Sequence, residues 1–186
     1  LAWRFREEAQ LHGAWSVVYL VSSDALPLCV DLVLTLIKLG EEARVPLAGF
    51  SLDGGGSRKT LRRRCRELEK LGARFAVVEI PDVPAWLPQL RRISDAWLTA
   101  KRTREKAFSL GRFDEAYLMN FPLAVVCVGD RPVAFANVWQ GADAEELSID
   151  LMRYTPDAPH GVMDYLIVEL MNWGRDHGYR WFNLGM

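Results

Sequence analysis

Apolar and polar positions recur with changing periods along this chain, and each change of period marks an element. Leu1 to Leu11 is charged with a helical rhythm and stops at His12-Gly13, after which Trp15 to Val21 reads as an aromatic and β-branched strand. Asp24 to Leu39 reads as a buried helix, Val45 to Leu52 as a short strand, and the glycines of Asp53 to Gly56 as a linker. From Arg58 to Leu71 the apolar positions Leu61, Cys65, Leu68 and Leu71 fall at helical spacing, with Ser57 as N-cap and Gly72 as stop.

A strand (Ala73 to Glu79) follows, then a helix entered through Pro81 and Pro84 and running to Thr99, then a polar connection into a short helix at Asp114 to Met119. Leu123 to Val128 and Arg131 to Trp139 form a hairpin across Gly129-Asp130, and Glu146 to Tyr154 adds a strand. Met163, Leu166, Leu170 and Trp173 give Gly161 to His177 a helical period that Gly178 closes, and Tyr179 to Leu184 is a last strand. The fold class expected is α/β with a mixed sheet. From residue 73 the order resembles most of a GNAT-like acyltransferase domain, a topology that by itself says little about chemistry.

An echo between Trp3 to Val18 and Trp173 to Leu184, each a helix, a His-Gly stop, a Trp and a strand, suggests two copies of that unit. The expected organisation is therefore tandem: residues 1–56 as the C-terminal part of a first GNAT-like domain, 57–72 as a connecting basic helix, and 73–186 as most of a second, catalytic one. The chain starts without Met and stops after a strand-like run, so it is expected to be truncated at both ends.

Charge changes this picture in one place. The 23 Lys and Arg nearly balance 24 Asp and Glu, so binding to a polyanion must come from local clustering. Arg58, Lys59, Arg62, Arg63, Arg64, Arg66 and Lys70 provide such a cluster on the connecting helix, diluted by Glu67 and Glu69. It suits a tRNA backbone or anionic lipid headgroups, or is a solvated face. Cys29, Cys65 and Cys127 contain no CxxC pair and read as reduced core thiols, which disfavours a zinc site or a disulfide scaffold. The most apolar stretch, Ala25 to Leu39, falls short of the roughly 20 residues that span a bilayer, so the piece itself is expected to be soluble.

The turn from Arg153 to Gly161 lies where an acetyl-CoA enzyme of this fold would cradle pyrophosphate on backbone N–H groups. Here it carries Pro156, Pro159 and Asp157, which remove donors and add a negative charge, so coenzyme A is a poor fit. His12, His160 and His177 form no triad with a Ser or Cys elbow, and two of them precede glycines at helix ends. His160 remains an outside candidate.

FSLGRFD (108–114), VAFANVW (133–139), ELSIDLMRY (146–154), PDAPHGVMDYL (156–166) and GYRWFNLGM (178–186) occur in that order. Together they resemble the C-terminal synthase domain of the phosphatidylglycerol lysyltransferases, or multiple peptide resistance factors. The resemblance runs over nearly the whole chain. It implies transfer of an aminoacyl group, the lysyl group above all, from aminoacyl-tRNA to the glycerol hydroxyl of phosphatidylglycerol, which changes membrane surface charge. It further implies work at the cytoplasmic face of the bacterial inner membrane, a preceding transmembrane flippase region, and no metal or other cofactor.

The family's essential Asp and Arg fall on Asp150 and Arg153. The implied roles are to hold the donor's α-ammonium or orient the attacking hydroxyl (Asp150), and to bind a phosphate or stabilise the oxyanion (Arg153). A charge inside an Ile-Asp-Leu-Met strand is costly unless paired or functional. Their odd spacing puts the two on opposite faces of a regular strand, so a shared site requires a bulge or a strand end, and that distortion is expected. The bland alternative is a buried Asp–Arg pair tying strand to helix. Further substrate candidates are Ser109, Arg112 and Asp114, which otherwise cap a loop or pair at the surface, and Asn137, otherwise a satisfied core amide. Glu146 and Ser148 share strand parity with Asp150 and could line the same cavity, though for Glu146 a solvated strand end is the preferred reading. Arg58, Lys59, Arg62, Arg63 and Arg66 are the candidate phosphate contacts. Two other functions fit the same residues: an aminoacyl-tRNA-dependent transferase acting on a peptidoglycan-type amine, and a non-catalytic tRNA- or lipid-binding module.

Overall fold

A computed structural model describes residues 1–19, 21–105 and 111–185. Two compact units are present, Leu1–Glu41 and Glu42–Met186. In the first, α1 (Ala2–Leu11) ends at His12 as the sequence indicates, and α2 occupies only Leu26–Asp31. The long helix expected over Asp24 to Leu39 stops there because Val33 takes φ +54°, a left-handed conformation costly for a β-branched residue. No strand forms among the described residues of Trp15 to Val21; Trp15, Val17, Val18 and Tyr19 are exposed. Only the helical half of the internal echo is therefore present.

The second unit is built on a six-stranded sheet of order β1-β6-β5-β4-β3-β2. Its strands are β1 (Arg44–Pro46), β2 (Ala73–Val78), β3 (Leu123–Val128), β4 (Arg131–Gln140), β5 (Glu146–Tyr154) and β6 (Trp181–Asn183). All neighbours are antiparallel except β5 and β6, which run parallel. This is the mixed α/β architecture expected. The division between units falls at Glu41/Glu42 rather than at residue 56, because Val45 pairs with Phe182 and Leu47 is fully buried with the second unit's core.

Helices cover both faces of the sheet. On one, α3 (Ser57–Lys70) and α6 (Val162–Asp176) pack Cys65, Leu68, Leu166 and Leu170 against Ala124, Val126, Ala136 and Leu147. On the other, α4 (Val83–Lys101) and α5 (Glu115–Leu118) pack Val83, Leu87, Leu90, Ile93 and Leu118 against Leu123, Val125, Phe135 and Leu151. Double coverage explains why the central strands LAVVCV and VAFANV read as nearly continuous apolar runs. Gly174 permits the close seat of α6, since a Cβ there would stand 2.5 Å from Leu147 Cδ1. Gly56, not Ser57, takes the N-cap of α3, and Leu71 is exposed at its other end. Among the described residues no helix is long and apolar enough to cross a membrane.

Candidate active site

The strand pairing breaks where the sequence demands it. Ala136 pairs with Met152 and Val138 with Ile149, so the single residue Asn137 faces both Asp150 and Leu151. This is a β-bulge, and it changes which side each later residue meets. Leu147 and Ile149 pack on the α6 side, Leu151 turns to the α4 side, and Tyr154 returns to the α6 side. Asp150 and Arg153 thereby come to the same face, as their spacing required. Asn137 is fully buried, and its Oδ1 accepts the amides of Leu151 at 2.7 Å and Asp150 at 3.3 Å. Its side chain thus holds the bulge, while its Nδ2 is buried with no partner.

Asp150 is held from two directions. Its Oδ1 accepts the Gly111 amide at 2.8 Å, and its Oδ2 accepts the Tyr117 hydroxyl at 2.7 Å. Trp139 Nε1 donates in turn to the Tyr117 oxygen at 3.2 Å. Burial, and then the hydrogen bond to Asp150, push the Tyr117 phenol above its ordinary range, so it stays a protonated donor at neutral pH. Gly111 is the only kind of residue this approach tolerates, because a Cβ would lie 2.2 Å from Asp150 Oδ2.

Arg153 takes a different partner. Its Nη2 meets Glu105 Oε2 at 3.2 Å, its Nη1 donates to the Met152 carbonyl at 2.9 Å, and its guanidinium lies 4.2 Å from the centre of the Trp97 ring. Only 12% of the side chain is exposed, and Nε is buried without a partner. Burial lowers the guanidinium's pKa, and Glu105 opposes that shift. Among the described residues Asp150 and Arg153 form no ion pair with each other, so the buried Asp–Arg pair is not what the strand holds.

Glu146 is not a free strand end: its Oε2 accepts from Arg44 Nε at 2.6 Å and its Oε1 from Asn183 Nδ2 at 3.1 Å. Ser148 donates to the Asn183 carbonyl at 3.2 Å. Both residues line a cleft of about 420 Å³ with Asn120, Phe121, Trp139 and Gln140, and Trp139 joins this cleft to the Tyr117–Asp150 pair. Asp114 caps α5 by accepting the Tyr117 amide at 3.1 Å and pairs with the exposed Arg112 at 3.1 Å, an arrangement of loop capping. Ser109 lies outside the described residues.

On α3, Arg62 is tied to the Leu52 carbonyl at 2.6 Å and Arg64 to Asp164 at 2.9 Å. Lys59, Arg62, Arg63, Arg66 and Lys70 line a groove of about 530 Å³, and Arg58 is exposed beside it at the start of the helix. His12 and His177 sit at helix C-caps, and His177 stacks on Trp173 at 4.1 Å. Among the described residues no three His, Cys, Asp or Glu side chains are grouped to hold a metal ion. Sequence reasoning missed Glu105, Tyr117, Trp139 and Asn183. Gly111 and Asp114 in FSLGRFD and Trp139 in VAFANVW lay within the quoted motifs, whereas Glu105 carried no local signal.

The family model described as phosphatidylglycerol lysyltransferase, C-terminal, matches residues 1–186. The chain belongs to this family. A phosphatidylglycerol lysyltransferase of Bacillus subtilis is 39% identical over 183 residues, 98% of this chain and 21% of the relative. One of Staphylococcus haemolyticus is 32% identical over 171 residues, 91% of this chain and 20% of the relative. The chain thus spans about a fifth of the length of the curated lysyltransferases it matches. The crystal structure of the C-terminal domain of a putative lysylphosphatidylglycerol synthetase from Agrobacterium fabrum superposes with a TM-score of 0.91 at 42% identity, covering 100% of this chain and 59% of that one. The structure of L-PGS from Bacillus licheniformis gives 0.90 at 39% identity, covering 100% and 58%.

Proposed function

We propose that this chain is the catalytic part of an enzyme that moves a lysyl group from its tRNA ester to the glycerol hydroxyl of phosphatidylglycerol. The observation that carries the reading is the bulge at Asp150, which brings Asp150 and Arg153 onto one face of β5 in a member of the lysyltransferase family. One ester is exchanged for another: the lipid oxygen bonds to the aminoacyl carbonyl carbon, the bond to the ribose oxygen breaks, and the lipid hydroxyl's proton ends on the ribose. Such an exchange is close to balanced in energy and by its chemistry calls on no redox group.

Asp150 offers a carboxylate whose two oxygens are already oriented by Gly111 and Tyr117. A preorganised carboxylate of this kind holds the donor's α-ammonium or orients the attacking hydroxyl without being rearranged at the moment of reaction. The groove of α3, with Lys59, Arg62, Arg63 and Arg66 along it and Arg58 at its start, suits the phosphates of the tRNA donor. We place the work at the cytoplasmic surface of the bacterial membrane, where charged tRNA and anionic phosphatidylglycerol meet, with the catalytic unit attached to a longer, membrane-bound protein.

The test supplies labelled Lys-tRNA or Ala-tRNA, in separate reactions, to the full-length protein with phosphatidylglycerol vesicles. Label extracted with the lipid from the Lys-tRNA reaction supports the proposal. Label from Ala-tRNA alone changes the donor, and label in neither removes the function.

A further inference from the structure

Glu105 receives two donors on separate oxygens: the Arg153 guanidinium on Oε2 at 3.2 Å and the Phe113 amide on Oε1 at 3.3 Å. Two residues before Phe113, the Gly111 amide donates to Asp150 at 2.8 Å. The backbone from Gly111 to Phe113 is therefore suspended between two carboxylates, Asp150 at one end and Glu105 at the other, and Arg153 stands behind the second. Ser94 on α4 adds a longer contact to Glu105 at 3.5 Å.

We infer that Arg153 is a positioning residue that acts through Glu105: the ion pair fixes the Glu105 carboxylate, that carboxylate fixes the Phe113 amide, and the backbone so held delivers the Gly111 amide to Asp150. This deepens the proposed function and rests on its claim that Asp150 meets the aminoacyl donor. Three observations support it. The Arg153 side chain is only 12% exposed, lies over Trp97, and spends one donor on Met152, which leaves a poor seat for a phosphate arriving from solvent. A buried guanidinium demands a compensating charge, and Glu105 supplies it. Gly111 approaches Asp150 so closely that a Cβ would stand 2.2 Å from its oxygen, so the backbone here has to be placed accurately for its amide to meet Oδ1.

The experiment compares Glu105→Ala, Glu105→Gln, Arg153→Ala and the double variant Glu105→Ala/Arg153→Ala in the full-length protein, reading kcat and KM for both Lys-tRNA and phosphatidylglycerol. Hydrogen exchange at the amides of Gly111 and Phe113 is followed by mass spectrometry in the same proteins. Misplacement of a reacting group costs about 10²-fold in rate, so each single variant is expected to lose that factor in kcat with both KM values unchanged. The double variant should be no slower than the slower single one, and exchange at Gly111 and Phe113 should accelerate in all of them. Glu105→Gln keeps the side chain's shape and gives the same reading should the alanine variant fail to fold. The inference is overturned if Arg153→Ala raises KM for phosphatidylglycerol while the Glu105 variants stay near the wild-type rate, or if the two losses multiply. If the wild type transfers no lysyl group, the proposed function fails on its own. The exchange data then decide the inference: faster exchange in Arg153→Ala and Glu105→Gln upholds it, and unchanged exchange ends it.

Discussion

The side-chain oxygen of Asn137 accepts the amide of Leu151 at 2.7 Å and, more loosely, that of Asp150 at 3.3 Å, so one buried amide serves both residues of the bulge opposite it. Without that oxygen the two N–H groups face an apolar interior. Each buried donor left unpaired costs about 1–3 kcal/mol. Asn137→Ala is therefore expected to lower the free energy of unfolding by an amount of that order and to abolish lysyl transfer in the molecules that remain folded. Denaturant titration beside the transfer assay checks this, and unchanged stability with full activity contradicts the bulge's dependence on Asn137.

Gly111→Ala tests the close approach to Asp150. Its new methyl group would stand 2.2 Å from Oδ2 and 3.0 Å from Leu151 Cβ, so the backbone must retreat and surrender its hydrogen bond. The expected loss is about 10²-fold in kcat, with a smaller change in melting temperature than Asn137→Ala produces. Wild-type kcat in Gly111→Ala would show that the Gly111 amide does not position Asp150.

Alkaline pH should weaken the second unit through the α3–α6 contact. Burial, then the Glu169 charge, raise the Cys65 thiol from 9.0 to about 11, and burial likewise raises the Tyr165 phenol from 10.0 to about 12. A group whose folded pKa lies above its unfolded value binds its proton more tightly when folded. Its stabilisation is thus complete below the unfolded pKa and is lost as pH rises through the folded one. The melting temperature should fall from pH 9.0 toward about 11 for Cys65, and should fall less steeply in Cys65→Ala. Equal slopes for the two proteins would remove Cys65 from the transition.

Much of this arrangement was legible in the sequence, and what was not has a physical cause. The Cys65–Leu68 stripe of α3, the hairpin at Gly129-Asp130 and the α6 pattern stand as read, because their periods reflect local geometry, whereas Leu71 falls past the end of α3 and is exposed. The parity of Asp150 and Arg153 allows a shared site only at a bulge or a strand end, and the pairing shows a bulge. Trp15 to Val21 misled, since a β-branched run becomes a strand only where another strand offers its edge. Glu105 was invisible because its partners Arg153 and Phe113 come from β5 and from the chain ahead of α5, and no spacing rule links them. For Asn137 the sequence leaves a substrate donor and a core amide both open, and its service to the backbone of a neighbouring strand depends on register.

The basic face of α3 should show itself in salt dependence. Removing a cation that contacts a phosphate lowers the slope of log affinity against log salt by about 1. Arg63→Ala and Arg66→Ala, both exposed on the groove, are expected to reduce that slope for Lys-tRNA binding while leaving the melting temperature unchanged. A slope identical to the wild type in both variants would assign this face to solvation.

The most direct measurement is a single-turnover transfer of labelled lysine from Lys-tRNA to phosphatidylglycerol vesicles by the full-length protein, wild type against Asp150→Asn. The asparagine keeps the side chain's size and can still accept the Gly111 amide on its oxygen, while its amide nitrogen, in place of the oxygen that accepts the Tyr117 hydroxyl, can donate to the Tyr117 oxygen, so the fold survives and the carboxylate's charge is lost. A catalytic role for the Asp150 carboxylate calls for rapid labelling of lipid by the wild type and none above background by the variant, with equal melting temperatures. Lipid labelled at the same rate by both would contradict it.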